Sequence, residues 1–278
     1  MTAEQEFVID PTDGLRCSMV GEWAREKHER LTKYIDISRF VRRKWLDGNS
    51  GEATFIDLFS GPGRCQIRGQ SDFIDGGCVA GWKKSEDCGA PFTRVLVSDA
   101  DDCHANTSAN RLRALRAPVT HFVGQAEHVV EDVVKQLSPH GLHFAYLDPF
   151  DLDSLPFSII RQLASLKRMD MLIHISLMDL QRNAVEYSNE DNRQLDRFAP
   201  DWRKHVSPSP HQATFRANFL GYWKSLIKDL GMQIAEGIEL VRGTQGQRLY
   251  WLAFVARNST AIQFWNEIRN VDGQRNLL

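Results

Sequence analysis

The chain has 278 residues, 42% of them hydrophobic, which is near the upper limit for one hydrophobic core and fits one domain with insertions. Its formal net charge of −2 excludes a strongly basic nucleic-acid scaffold, although a local basic face is compatible with it. Cys17, Cys65, Cys78, Cys88 and Cys103 are odd in number and include no C-x-x-C pair, which argues against a disulfide framework or a zinc knuckle; no metal-ligand set is expected.

A polar, acidic start (Thr2, Glu4, Gln5, Glu6) and the lack of an apolar run long enough for a bilayer predict a cytoplasmic protein with no membrane partner. Residues 1–20 show no strong period and contain the turn-rich Asp10-Pro11-Thr12-Asp13-Gly14, so they read as an arm lying over the domain. From Glu22 to about Trp45 the spacing of Trp23, Leu31, Tyr34, Ile35, Val41 and Trp45 predicts one helix. Lys27 reads as a lysine on its exposed face, with reach to a bound carboxylate as the alternative, and Arg42-Arg43-Lys44 as a solvated helix end, with a nucleic-acid contact as the alternative.

The chain is organised around Phe55-Ile56-Asp57-Leu58-Phe59-Ser60-Gly61-Pro62-Gly63, an apolar strand interrupted by one acid and ending in a glycine turn. Gly61 and Gly63 permit positive φ and close approach of a ligand to the backbone, with Asp57 beside them as an acceptor. That suits a cofactor with a carboxylate and an amine; a tight turn with a solvated acid gives the same pattern. A polar loop from Gln66 delays the next helix to Gly77, unlike a dinucleotide fingerprint, where the helix follows the glycines at once.

Arg94 to Asp99 is the second buried strand; Asp99 at its end can hold a ribose or cap the next helix. Val119 to Val123 is the third, followed by Gln125 and Ala126, where Gln125 can meet an adenine edge or simply begin a helix. The fourth, from His143, ends in Asp148-Pro149-Phe150, a turn that proline makes rigid. A rigid buried turn with Phe150 in the core is the alternative to a functional one. Asp170 to Ile175 is the fifth strand; Met232 to Val241 and Leu249 to Val255 read as a hairpin turning at Thr244-Gln245-Gly246, with Gly237 as a bulge. Between them, 178–214 is polar and irregular, with Trp202, Arg203, Lys204 and His205 suited to a base and its phosphate; a solvated helical excursion with a few anchoring aromatics gives the same pattern. The expected organisation is an arm and helix over 1–50, an α/β domain over 51–177 and 215–278, and an insertion over 178–214 that acts as a substrate lid.

This order of elements resembles the class I S-adenosylmethionine-dependent methyltransferase fold: Rossmann-like, a mostly parallel seven-stranded sheet with an antiparallel C-terminal hairpin. The resemblance implies that Asp57, Phe59, Gly61 and Gly63 hold the methionine part of S-adenosylmethionine, Asp99 its ribose, and Gln125 and Ala126 its adenine, while Asp148, Pro149 and Phe150 face the methyl acceptor. More narrowly, Trp23, Lys27, Asp57, Phe59, Gly61, Gly63 and Asp148 to Phe150 resemble the motifs of three-Cys-motif partner proteins, which implies a three-cysteine-motif protein as partner. Asp-Pro-Phe is also similar to the fourth motif of enzymes that methylate exocyclic amino groups of nucleic-acid bases, implying a nucleic-acid substrate. Phe150 stands where a C5-cytosine methyltransferase needs a cysteine. The resulting expectation is N-methylation of a base; the rival is a non-catalytic binding subunit acting with the partner protein.

Overall fold

A computed structural model describes residues 7–48, 51–176, 193–207, 212–235, 239–242 and 248–275. The central sheet contains β3 (Ala53–Asp57), β6 (Arg94–Asp99), β7 (Val119–Val123), β8 (Leu142–Leu147), β9 (Met169–Ser176), β10 (Gln233–Ile234), β11 (Glu239–Arg242) and β12 (Arg248–Ala256). Across the sheet the order is β7-β6-β3-β8-β9-β12, with both β10 and β11 on the far side of β12. The strands from β7 to β9 run parallel, and β12 is antiparallel to β9, β10 and β11.

This is the mostly parallel sheet with a terminal antiparallel hairpin that the class I resemblance implies, its sixth strand divided into two segments. The Gly237 bulge and the 244–246 turn lie outside the described residues. The chain moves outward from β3 through β6 and β7, then returns to place β8 on the other side of β3. A crevice opens at such a reversal, beyond the carboxyl ends of the strands.

The strands form because they are apolar on both faces: every residue of β3 is buried. One face of the sheet carries Leu31, Tyr34 and Ile35 of α1 (Trp23–Ile37), Trp82 of α3 (Gly77–Asp87) and Trp265 of the last helix, whose ring stacks on Phe254 at 5.1 Å. The other carries Val130 and Val133 of α5 (Ala126–Lys135), Ile160 and Leu163 of α6 (Phe157–Leu163), and Phe219 and Trp223 of the long helix Gln212–Asp229. Trp223 and Trp265 are fully buried, and truncating either to alanine costs about 3–5 kcal/mol. Among the described residues, no helix is long and apolar enough to cross a membrane.

Three features depart from the sequence reading. The arm and the polar loop after the glycines form a second sheet, in which β1 (Phe7–Ile9), β2 (Arg16–Val20), β4 (Arg64–Ile67) and β5 (Phe73–Asp75) lie side by side in that order. These strands are three to five residues long and mostly part-exposed, so they leave no periodic trace. The helix expected over 22–45 is divided at Ser38 into α1 and α2 (Arg39–Asp47). Arg42 is buried, its guanidinium over the Phe92 ring and bonded to the carbonyls of Ala90 and Ile35.

The described part of the expected insertion holds two short helices, α7 (Gln194–Phe198) and α8 (Trp202–His205). Trp202 is 3% exposed and packs edge-on against Phe215 and Phe219 of α9 (Gln212–Asp229). It anchors the segment rather than offering a ring to a base, and His205 is likewise stacked on Tyr222.

Candidate active site

A crevice of about 650 Å³ lies at the carboxyl edge of the sheet, at the reversal between β3 and β8. Asp57, Phe59, Gly61, Gly63, Asp99, Gln125, Ala126, Asp148, Pro149 and Phe150 all line it. The topology explains the convergence: β6, β3 and β8 are neighbours, and each ends in or just before an acid.

The glycine loop is held at several points. Gly61 donates its N–H to Asp99 Oδ2 at 2.9 Å, and Gly76 donates to the Gly63 carbonyl at 2.8 Å. Arg111, buried on α4 (Asp102–Ala114), donates to the Pro62 carbonyl and also grips Asp13, Leu15 and Arg16, tying the N-terminal segment to the loop. Gly61 and Gly63 have φ of +52° and +82°, so both occupy the left-handed region. At Gly77 a Cβ would lie 2.4 Å from the Tyr146 ring, so any side chain there would displace the floor of the crevice.

Asp57 is 1% exposed and accepts from the Phe59 N–H at 3.0 Å. Burial pushes its carboxyl up to about 8, and the nearby Asp148 and Asp99 add to the rise. A buried acid with this affinity for a proton is poised to receive a cationic group. Asp99 keeps its side chain 17% exposed, with its two oxygens on the N–H groups of Gly61 and Asp101. Capping of α4 falls to Asp101, whose side chain accepts from the His104 N–H.

Asp148 is not a free acid. Its Oδ2 lies 2.5 Å from Lys27 Nζ, and Oδ1 lies 3.2 Å from His174 Nδ1. Burial pushes this carboxyl up, but the Lys27 ammonium, with His174 and the Lys27 hydrogen bond, outweighs that and holds it below the usual carboxylate range. Lys27 is 5% exposed, with its ammonium 4.6 Å from the Trp23 ring centroid, so the exposed helical face expected for it is overturned. The position faces the strand ends because α1 packs across them, a tertiary fact that helical spacing does not contain.

His174 is enclosed by Trp23, whose ring is parallel to it at 6.4 Å, and by Tyr250 at 4.4 Å. Burial lowers its pKa to about 4, so it is neutral at pH 7. The sequence carries a signal for it, a lone imidazole inside the apolar run Met171–Ile175. Phe150, by contrast, is 70% exposed, which removes the core alternative for its ring. Arg197 of α7 reaches the crevice wall, paired with Glu127 and Asp153.

The crevice fits S-adenosylmethionine in its donor set and shape. Asp57 supplies a buried acid without a cation bonded to it among the described residues, Asp99 a carboxylate at a strand end, and the glycines a cradle free of Cβ atoms.

No protein-family model matches the chain, and no curated protein matches it. Among solved structures it is similar to M. jannaschii TYW2 in complex with AdoMet, at 10% identity and a TM-score of 0.46, over 93% of this chain and 90% of that one. It is also similar to the O-methyltransferase TomG from Streptomyces achromogenes in complex with SAM, at 13% identity and a TM-score of 0.46, over 85% of this chain and 87% of that one. A third is protein LPL1258 from Legionella pneumophila, at 8% identity and a TM-score of 0.47, over 84% of this chain and 88% of that one.

Proposed function

We propose that the protein is an S-adenosylmethionine-dependent methyltransferase acting on an exocyclic amino group of a nucleic-acid base. The observation that carries this reading is the convergence of Asp57, Asp99 and Asp148 on one crevice floored by the glycine loop. When bound, the cofactor supplies an activated methyl group, so the chain's task is chiefly alignment. Asp57 and the glycine loop hold the amino-acid end, Asp99 the ribose hydroxyls, and Gln125 with Ala126 the adenine edge. Asp148 and the Pro149 carbonyl accept from the acceptor's N–H groups, orienting the nitrogen lone pair and stabilising positive charge as it develops there. Phe150 offers its exposed ring for stacking. Arg197 lines the crevice, and the 178–214 segment to which it belongs is assigned the role of lid over an extruded base.

The test is calorimetric titration with S-adenosylmethionine, followed by transfer of labelled methyl groups to single-stranded DNA and RNA. Asp148→Asn should abolish transfer and keep cofactor affinity; unchanged turnover would remove Asp148 from the acceptor site. A second reading, a non-catalytic subunit that retains the crevice and docks on a three-cysteine-motif protein, is favoured by the engagement of Asp148 with Lys27. Cofactor binding without labelling of any acceptor would support it.

A further inference from the structure

At the opposite, amino-terminal edge of the central sheet, about 20 Å away along β8, lies a second concavity. Its volume is about 490 Å³, within the range of roughly 300–1,000 Å³ typical of small-ligand sites. The first residues of β8 and β9, the second half of α1, the inner face of α2 and the start of α10 (Ser259–Arg275) enclose it.

Its chemistry is the reverse of the crevice. Arg42, Lys167, Arg168 and Arg257 line it, with Asp170 as the one acid in its wall. Lys167 is exposed. Arg42 turns its guanidinium onto the Phe92 ring and the Ala90 and Ile35 carbonyls, and Arg257 turns its own to the carbonyls of Ala164 and Gly231, so the cations presented to the concavity are Lys167 and Arg168. Asp170 accepts from Tyr34 Oη at 2.6 Å, and burial pushes its carboxyl up to about 6, so Lys167 and Arg168 outnumber it. The concavity therefore favours an anion.

The rest of the wall is aromatic and carries an unanswered polar atom. Trp45 and Phe264 face it, with Arg168 lying 4.5 Å from the Trp45 ring centroid. Trp45 Nε1 is a buried donor without a partner. Unpaired buried polar atoms are costly and uncommon. A donor and a carboxyl acceptor beside a flat ring match the edge of an amino-bearing heterocycle.

We propose that this concavity binds a nucleotide, the base stacked in the aromatic wall with its polar edge toward Trp45 and Asp170, and the phosphate paired with Lys167 and Arg168. The nucleotide is either free or an unpaired residue of a strand. Phe40, 62% exposed on the neighbouring face of α2, suits the second source by offering a further ring. The inference is independent of methyl transfer, because the two sites share no residue.

Calorimetry with AMP, GMP, CMP and UMP, their nucleosides, inorganic phosphate and a single strand of about ten nucleotides tests it. At least one mononucleotide should bind with Kd below about 1 mM, and its nucleoside and free phosphate about tenfold more weakly. Lys167→Glu and Arg168→Glu, both with a native melting temperature, should each weaken binding about tenfold. A strand that binds about tenfold more tightly than the mononucleotide, with affinity falling as salt rises, assigns the site to a nucleic acid; equal affinity assigns it to the free nucleotide. No heat from any probe, affinity unchanged in both charge reversals, or equal binding of poly-glutamate would overturn the proposal. S-adenosylmethionine titrated into the same variants should bind as to the parent, so failure here and failure of the methyltransferase reading are separate results.

Discussion

The two edges of the central sheet are chemical opposites built from the same strands. At the carboxyl edge β3, β6 and β8 deliver Asp57, Asp99 and Asp148 into one crevice, where Asp148 is paired with Lys27 and Asp57 holds a proton that a cationic ligand would displace. At the amino edge the starts of β8 and β9 open on Arg42, Lys167, Arg168 and Arg257 among aromatic rings. The near-neutral net charge of the chain conceals this separation, because a sum over 34 basic and 36 acidic residues carries no location. Charge in this protein is informative only by location.

The largest effect that can break the comparison is on stability. Lys27→Met leaves the part-buried Asp148 beside Asp57 without its cation, a loss of about 2–3 kcal/mol, below the range for a fully buried pair. Lys167→Glu, at the exposed rim of the amino edge, should stay within about 0.5 kcal/mol of the parent. Urea denaturation of both variants measures the difference. Equal losses would mean that the crevice charges are as weakly held as surface ones.

Next in size is cofactor affinity. Asp99→Ala removes the acceptor for the Gly61 and Asp101 N–H groups as well as the proposed ribose ligand. S-adenosylmethionine binding measured by calorimetry should weaken about 100-fold, or ~2.7 kcal/mol. Arg168→Glu at the other edge should leave it unchanged, and a comparable loss there would show the edges to be coupled.

The sequence reveals these edges unequally, for a physical reason. Each residue of the acidic edge follows its own strand within a few positions, so a buried apolar run ending in Asp99 or Asp148-Pro149-Phe150 announces both the strand and the site. The amino edge draws Tyr34, Trp45, His143, Arg168, Asp170, Arg257 and Phe264 from separate segments, and no local pattern joins them. Lys27 was misplaced for a related reason: its i, i+4 relation to Trp23 gives a common helix face but not what that face packs against. The small N-terminal sheet is invisible in the sequence because half-exposed strands of three to five residues carry no period. His174 was legible as a lone polar residue in a buried strand, but its partners come from α1 and β12.

A pH effect of intermediate size sharpens the contrast. With its carboxyl pushed up to about 8, folded Asp57 keeps a proton that the unfolded chain releases near 3.8. Across that window the folded state holds the extra proton, so this group's contribution to stability falls as pH rises toward 8. A cationic ligand requires the carboxylate and must expel the proton, so S-adenosylmethionine affinity should rise about tenfold per pH unit between 6 and 8. Calorimetry in buffers of different ionisation enthalpy should register about one proton released per cofactor at pH 7. In Asp57→Asn the affinity should be lower and flat with pH; a slope that survives the substitution assigns the proton to another group.

The smallest effect on stability falls at the acceptor mouth and separates function from packing. Phe150 is 70% exposed, so Phe150→Ala should change the unfolding free energy by less than about 0.5 kcal/mol. Stacking on a base is worth about 1–3 kcal/mol, so the same substitution should raise the KM for a nucleic-acid acceptor about tenfold or more and leave cofactor affinity unchanged. Phe150→Tyr, which keeps a flat ring, should restore the KM. Retention of the parent KM in Phe150→Ala would remove the ring from acceptor binding, and a fall in kcat with KM unchanged would place it instead in alignment of the reacting nitrogen.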